Sequence, residues 1–460
     1  MTMRKLFTII CALIFVASCS YGQGTTVRVK GTGSNRNDAL NDARRNAIAS
    51  GVGVRVQSET QMQDMVAIRD AVLSRTEGVV TAEKIVSEGQ VGELYEVELE
   101  AMVNKDAFDA NVRSLSQMVG GIRFLTIVNP DLAANGELPD LYRFAVDRVN
   151  EFLLSKKYRV LESKRYFQIL KATKSILDKD ESGLSYEQKL GMLADAQMLF
   201  EIDKINVDFR QGSGGLPGQT KVFFDIKVFD NCTGELLGTS PLESGWVMLP
   251  NADAAQREAV KQAVEKGMVR PLYLFSESMG SWINDGAPYR VRIYNQPGAQ
   301  PLTSRDLRPF KNKLTSNSDF GGTFEPNLNN GYFLYNLSYK KRSDQMGDLL
   351  MDYADETEAL KPLKMDISFQ FGRFMCLTPS AQKELVKPLQ KLDVLQDEIK
   401  KQEGQPGTDL NLQGLMDKLQ KSEVKNPPAP PVGSASNLPA ALGSKRPAKK
   451  PSTKKPIQKK

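Results

Sequence analysis

The run Lys221–Gly238, KVFFDIKVFDNCTGELLG, reads as a strand that turns sharply and sets off again. Val222, Phe224, Ile226 and Val228 alternate with Phe223, Asp225, Lys227 and Phe229. Side chains alternate across a strand, so both faces carry apolar groups and at least one must be buried, which predicts a central strand. Asn231, Thr233 and Gly234 supply turn chemistry, with Gly234 able to take a positive φ, and Glu235–Leu237 starts the return strand.

The segments around this hairpin alternate strand and helix. Gly121–Val128 is an apolar strand closed by Asn129-Pro130. Leu138, Leu141, Ala145, Val149, Phe152 and Leu153 mark an amphipathic helix, and Tyr158–Leu161 the next strand. Ser163 caps a helix running to about Leu177, and Ser185 with Gln188 makes a capping box. Met198–Phe209 reads as one strand, Arg210–Thr220 as a polar Gly-rich loop, and Ala252–Met268 as a returning helix. The expectation is an α/β layer domain over residues 120–285.

KKYRVLESKRYFQIL, LADAQMLFEIDKI and FDIKVFDNCTGELLG resemble elements of the curli secretion channel lipoprotein and of the N-terminal domain of the translocation protein B family. That resemblance implies an envelope-associated module. The long strands from which a channel protein builds a membrane barrel are not legible here, since each needs about 9 to 11 alternating residues.

Residues 24–118 read as a first α/β domain. Thr25–Lys30 alternates as a strand, Gly31 and Gly33 make a turn, and Ala39, Leu40, Ala43, Ala47 and Ile48 share one helical face that ends at Gly51. Val52–Val56 resumes a strand, Met62–Arg75 is helical, and Gly78–Ser87 pairs with Leu94–Val103. The glycine pair does not complete a dinucleotide loop, because Arg36 stands where a third glycine belongs, and no cofactor is expected. GTGSNRNDALNDARRNAIASGVGVRVQSET with YEVELEAMV resembles the N-terminal domain of flagellar assembly protein T and of related small exported lipoproteins, which implies an envelope fold without catalysis.

Residues 288–378 follow the order β-α-β-β-α-β, the ferredoxin-like plan: Tyr289–Tyr294, a helix Ser304–Thr315 bent near Pro309, Gly322–Pro326, Tyr332–Lys340, a helix lined by Met346, Leu349, Leu350 and Tyr353, and a last strand Leu363–Phe371. The fold class is therefore α/β, more strictly α+β, in three small mixed-sheet domains. The three-domain layout resembles that of exported bacterial envelope proteins whose family has no assigned task.

Residues 379–422 carry apolar stripes, Leu385, Leu389, Leu392, Leu395 and Ile399 on a helix kinked at Pro388, then Leu412, Leu415 and Leu419. Such stripes pack onto their own domain or onto a partner helix, including a second copy. Residues 423–460 are rich in Pro, Ala, Ser and Lys and cannot bury a core, which predicts a disordered tail. Lys445, Arg446, Lys449, Lys450, Lys454, Lys455, Lys459 and Lys460 are its candidate contacts with a polyanion, either lipid headgroups or an anionic envelope polymer, rather than nucleic acid.

The formal charge of +6 on 460 residues is dominated by this tail, and the body is mildly acidic. At the other end, Arg4 and Lys5, an apolar run Leu6–Ala17 and small residues have the order of a signal peptide over 1–22, so export to the periplasm or the periplasmic face of the outer membrane is expected. Two cleavage sites compete. Val16-Ala17-Ser18-Cys19 resembles a lipobox, which would lipidate Cys19 and supply the chain's membrane contact; Ser20-Tyr21-Gly22 fits ordinary cleavage and a soluble product.

Histidine is absent, which removes the usual general base and the commonest zinc ligand. Asp178, Asp180, Ser182 and Gly183 match the opening of a calcium loop, but Lys189 stands where a bidentate Glu is needed, so no metal is expected. Ser380 opens an SxxK spacing without its partner motifs, and no catalytic residue is assigned. In an oxidising compartment Cys232 and Cys376 either pair, stapling two domains, or stand as separate buried thiols. The function expected is a non-enzymatic scaffold or assembly protein whose partners are envelope proteins; the alternative is a ligand-binding protein or enzyme with a site between domains.

Overall fold

The computed structural model describes residues 24–33, 35–52, 59–75, 78–92, 94–119, 121–132, 138–177, 182–213, 217–295, 301–329, 331–403 and 414. One compact unit spans Met1–Leu412 and a second Gln413–Lys460, of which only Gly414 is described. The leader with Cys19, the tail cations, Asp178, Asp180, and the strand expected over Val52–Val56, apart from Val52 itself, lie outside the described residues. The fold is α+β and multidomain, and the described residues form three sheets.

In the first sheet β1 (Thr25–Gly33), β2 (Val80–Val91) and β3 (Leu94–Val103) run antiparallel in the order β1-β3-β2; α1 (Arg36–Val52) and α2 (Glu59–Ser74) lie between β1 and β2 in the chain, and α3 (Lys105–Val119) follows β3. Gly31 and Gly33 are not turn residues: they extend β1, opposite Val97 and Tyr95. Their work is close approach. A Cβ on Gly31 would sit 2.1 Å from the Ala43 nitrogen, and one on Gly33 2.4 Å from the Ala39 nitrogen, so the alanine face of α1 lies directly on the strand. Val97, Leu99, Ala101 and Val103 of β3 point into this core, while Glu96 and Glu98 on the other face pair with Lys30 and Arg28, each at 2.8 Å.

The second sheet is mixed. β4 (Phe124–Val128) lies parallel to β5 (Met198–Ile202), and the long β7 (Gln219–Asp230) receives β5 and β6 (Asn206–Arg210) along one edge and β8 (Glu235–Glu243) with β9 (Val247–Met248) along the other. The 221–229 strand is central as expected. Only its Val222, Phe224, Ile226 and Val228 face is buried, whereas Phe223 and Asp225 are exposed. The single strand expected over 198–209 is two, broken at Asp203, and Tyr158–Leu161 contributes one bridge, Val160 to Phe124.

The helices of this layer are α4 (Asp140–Ser155), α5 (Ser163–Leu177), α6 (Tyr186–Leu193), α7 (Ala252–Gly267) and α8 (Val269–Asp285). The capping box of Ser185 and Gln188 is present at α6. Phe124 anchors the core, stacked on Phe200 at 5.6 Å and meeting Tyr158 and Phe275 edge-on at 5.0 Å each.

In the third sheet β10 (Ala287–Tyr294), β11 (Phe320–Asn329), β12 (Tyr332–Tyr339), β13 (Met365–Phe371) and β14 (Phe374–Pro379) take the order β11-β12-β10-β14-β13, with α9 (Arg308–Ser316) and α10 (Ser343–Asp355) as its helices. The ferredoxin-like element order is there, with one departure. The chain turns at Gly372, φ +53°, and β14 slips between β10 and β13, parallel to β10. Pro309 opens α9 rather than bending it, and Pro388 lies in the first turn of α11 (Lys387–Glu403), where its missing N–H costs nothing. Leu389, Leu392, Leu395 and Ile399 are buried, so this stripe is spent within the unit; Leu412, Leu415 and Leu419 lie outside the described residues.

Candidate functional site

Two of the buried arginines of the described chain, Arg373 and Arg292, tie the third sheet to the second layer. β7 ends at Asp230, and the turn through Gly234, φ +71°, folds back over its carboxylate. That carboxylate accepts from the Cys232 amide at 3.0 Å and the Thr233 hydroxyl at 2.9 Å. From the third sheet Arg373, in the β13–β14 turn, donates to both Asp230 oxygens at 2.8 Å. Its guanidinium also donates to the Pro288 carbonyl at 2.8 Å and lies 4.2 Å from the Trp282 ring. Asp230 is 0% exposed and Arg373 4%. A buried pair of this kind holds only because each charge meets the other in bidentate geometry and the remaining acceptor sites are filled.

A second joint uses Arg292 of β10. Its guanidinium donates to the carbonyls of Ser182 at 2.6 Å and Gly183 at 2.9 Å, between the rings of Tyr332 at 4.4 Å and Phe374 at 5.0 Å. A protein cation therefore already sits on the described end of the loop whose sequence resembles a calcium site, and Lys189 is buried beside it in sequence. The Tyr158 hydroxyl donates to Asp70 of α2, and Ser74 donates to the Ser276 carbonyl at 2.9 Å, tying the first layer to the second. α11 closes the set: Gln396 donates to the Met192 carbonyl at 2.7 Å, Lys400 meets Asp195 at 3.3 Å, and Arg165 donates to the Ile399 carbonyl at 2.8 Å.

Cys232 and Cys376 are both free and buried. The disulfide alternative fails on register. Cys232 lies against Gly372, where an added Cβ would come within 2.8 Å of its sulfur, and Cys376 lies four residues along, roughly 13 Å at strand rise. Burial pushes the Cys232 thiol up to about 11 and the Cys376 thiol up to about 12, far from a reactive thiolate. The SxxK pair is likewise turned apart, Ser380 donating to the Lys364 carbonyl and Lys383 pairing with Asp366 at 2.5 Å.

One further charged group lies in the second sheet. Lys227 bridges Asp203 at 2.8 Å and Glu201 at 3.1 Å, and Asn129 donates to Asp203 at 3.1 Å. Hydrogen bonding to Lys227 holds the Asp203 carboxyl below its ordinary range, while burial pushes Glu201 up despite the same lysine. Asp203 is thus the stronger partner, and Glu201 is the ion that burial disfavours.

A concavity of about 260 Å³ lies between α4 and α5, lined by Leu138, Arg143, Lys164, Phe167, Gln168, Leu170 and Lys171. On α5, Lys164, Phe167, Gln168 and Lys171 follow i, i+3, i+4, i+7 spacing and share a face. Arg143 faces them from α4, its Nε donating to the Leu138 carbonyl at 3.2 Å and its guanidinium 5.4 Å from the Phe167 ring. The sequence signal for this stripe, KxxFQxxK, is legible within the helix read from Ser163 to about Leu177. The joint residues Asp230, Arg292 and Arg373 carry no local signal at all.

No family model matches the chain, and no curated protein matches it. Solved structures similar to part of it include a hypothetical protein from Chlamydia trachomatis, 10% identical, covering 35% of this chain and 96% of that one at a TM-score of 0.20. A neuraminyllactose-binding hemagglutinin homolog from Helicobacter pylori is 14% identical and covers 34% and 87% at a TM-score of 0.18. At these TM-scores neither likeness supports a statement about what this chain does.

Proposed function

We propose that the protein is a non-enzymatic scaffold or assembly factor of the bacterial envelope, acting through protein–protein contacts from a rigid multidomain body. The observation that carries this reading is the use of buried charge. Asp230–Arg373 joins the second and third sheets, with every charged oxygen of Asp230 engaged, and Arg292 of the third sheet holds the loop at Ser182 and Gly183. Such pairs specify one relative arrangement more than they add stability. A platform needs that fixed geometry, whereas an enzyme or binding protein with an interdomain cleft needs open space there. Export is supported by the order of Arg4, Lys5 and Leu6–Ala17, and an envelope setting by the resemblances of residues 31–60 and 120–270. No helix among the described residues is long and apolar enough to cross a membrane.

The test is native purification of the mature protein from envelope fractions after cross-linking, with identification of what accompanies it. Specific envelope proteins should co-purify; a partnerless monomer that carries a small molecule would overturn the scaffold reading. Fractionation of Cys19→Ala separates the two leader outcomes, since loss of membrane retention is expected only of a lipidated Cys19.

A further inference from the structure

The concavity between α4 and α5 joins charges of one sign on an apolar floor. Its described lining holds Arg143, Lys164 and Lys171 and no carboxylate. α5 itself, SKRYFQILKATKSIL, contains no acidic residue over its whole length. Like charges gathered round a concave, low-dielectric surface focus a positive potential into it. Lys164 and Lys171 are seven residues apart, roughly 10 Å along the helix, so they flank the mouth instead of crowding one point. Between them Phe167 presents a half-buried ring, and Leu138 and Leu170 close the floor.

Arg143 is already positioned. Its Nε is committed to the Leu138 carbonyl and its plane to the Phe167 ring, which orients the remaining guanidinium nitrogens without using them. Arginine held in that way offers a planar pair of donors that matches a phosphate or carboxylate. The volume of about 260 Å³ admits an anionic headgroup with a few carbons and is too small for a large ligand.

We infer that this pocket is a binding site for a phosphate or carboxylate carried on an apolar stem, with Arg143, Lys164 and Lys171 holding the anion and Phe167 receiving the stem. The site shares no lining residue with the joints, and it does not depend on the scaffold reading.

The experiment is titration calorimetry of the full mature chain with octyl phosphate, octanoate, inorganic phosphate and octanol, the amphiphiles kept below micelle formation. Octyl phosphate or octanoate should bind saturably, at least tenfold more tightly than inorganic phosphate or octanol, and weaken as salt is raised. The double substitution Lys164→Gln with Lys171→Gln alters two exposed side chains and should weaken binding at least tenfold while leaving the melting curve in place. The tail cations are present in both proteins, so the difference reports the pocket. Arg143→Lys, which keeps the charge but loses the fork and the stacking, should weaken binding severalfold. Equal binding of inorganic phosphate removes the stem, equal binding of octanol removes the anion, and unchanged binding in the double variant removes the site; any of the three overturns the inference.

Discussion

Replacing Asp230 by Asn tests the joint between the second and third sheets. The change keeps the shape of the side chain and one oxygen to accept from the Cys232 amide, but it turns the oxygen that accepts from Thr233 and Arg373 into an N–H donor and removes the charge that faces Arg373. The guanidinium is then left ionised at 4% exposure, with the Pro288 carbonyl and the Trp282 face as its remaining partners. Breaking one side of a buried pair costs about 3–5 kcal/mol, against 1 kcal/mol or less for a surface pair. The Asp230→Asn, Arg373→Met double variant removes both charges, and should recover part of the loss, giving a coupling of about 1.5 kcal/mol or more. Urea unfolding followed by tryptophan fluorescence reads this directly, because Trp282 lies on the guanidinium. Hydrogen exchange should localise it to the amides of Cys232 and of Arg290, which donates to the Arg373 carbonyl at 3.0 Å. A single variant that loses less than about 1 kcal/mol, or a double variant as damaged as the two singles summed, would refute the claim that the pair holds the sheets together.

The remaining predictions concern other parts of the molecule. Gly31→Ala should destabilise the first sheet by about 1–3 kcal/mol or more, read as faster hydrogen exchange in α1, because its Cβ meets the backbone of Ala43 and no side chain can move aside. Cys232 and Cys376 should resist maleimide labelling in the native protein and label fully in denaturant, as mass spectrometry of the two peptides would show; rapid native labelling contradicts their burial. Asp203 is held below its unfolded value by Lys227, so its contribution is present above about pH 4 and lost as pH falls through its folded pKa. Asp203→Asn should therefore flatten the acid limb of the stability profile; an unchanged limb would refute that assignment. Glu201 acts with the opposite sign, since burial raises it, and Glu201→Gln should cost little at neutral pH in the same urea assay.

Much of the architecture is legible locally. The alternation in 222–228, the alanine face of α1 and the Ser185–Gln188 box each predict an element that the structure contains, because period and capping are properties of a few neighbouring residues. The misreadings share a cause. Gly31 and Gly33 look like a turn until a helix is laid on them. FMCLTP, which is β14, is a short apolar run whose place between β10 and β13 depends on strands about eighty residues apart. Pro309 and Pro388 read as kinks where they are helix starts, since the residues before them decide which.

What the sequence by itself determined, then, is many of the elements, the lack of a histidine-based chemistry, the leader pattern and the basic tail, all of which follow from composition and short-range spacing. Tertiary structure alone decided that Asp230 and Arg373, 143 positions apart, form one buried pair, that Arg292 takes the loop carbonyls, and that Cys232 and Cys376 remain apart. The physical reason is that a charge is stable inside a protein only against a specific opposite group, and which group arrives is settled by how the sheets pack.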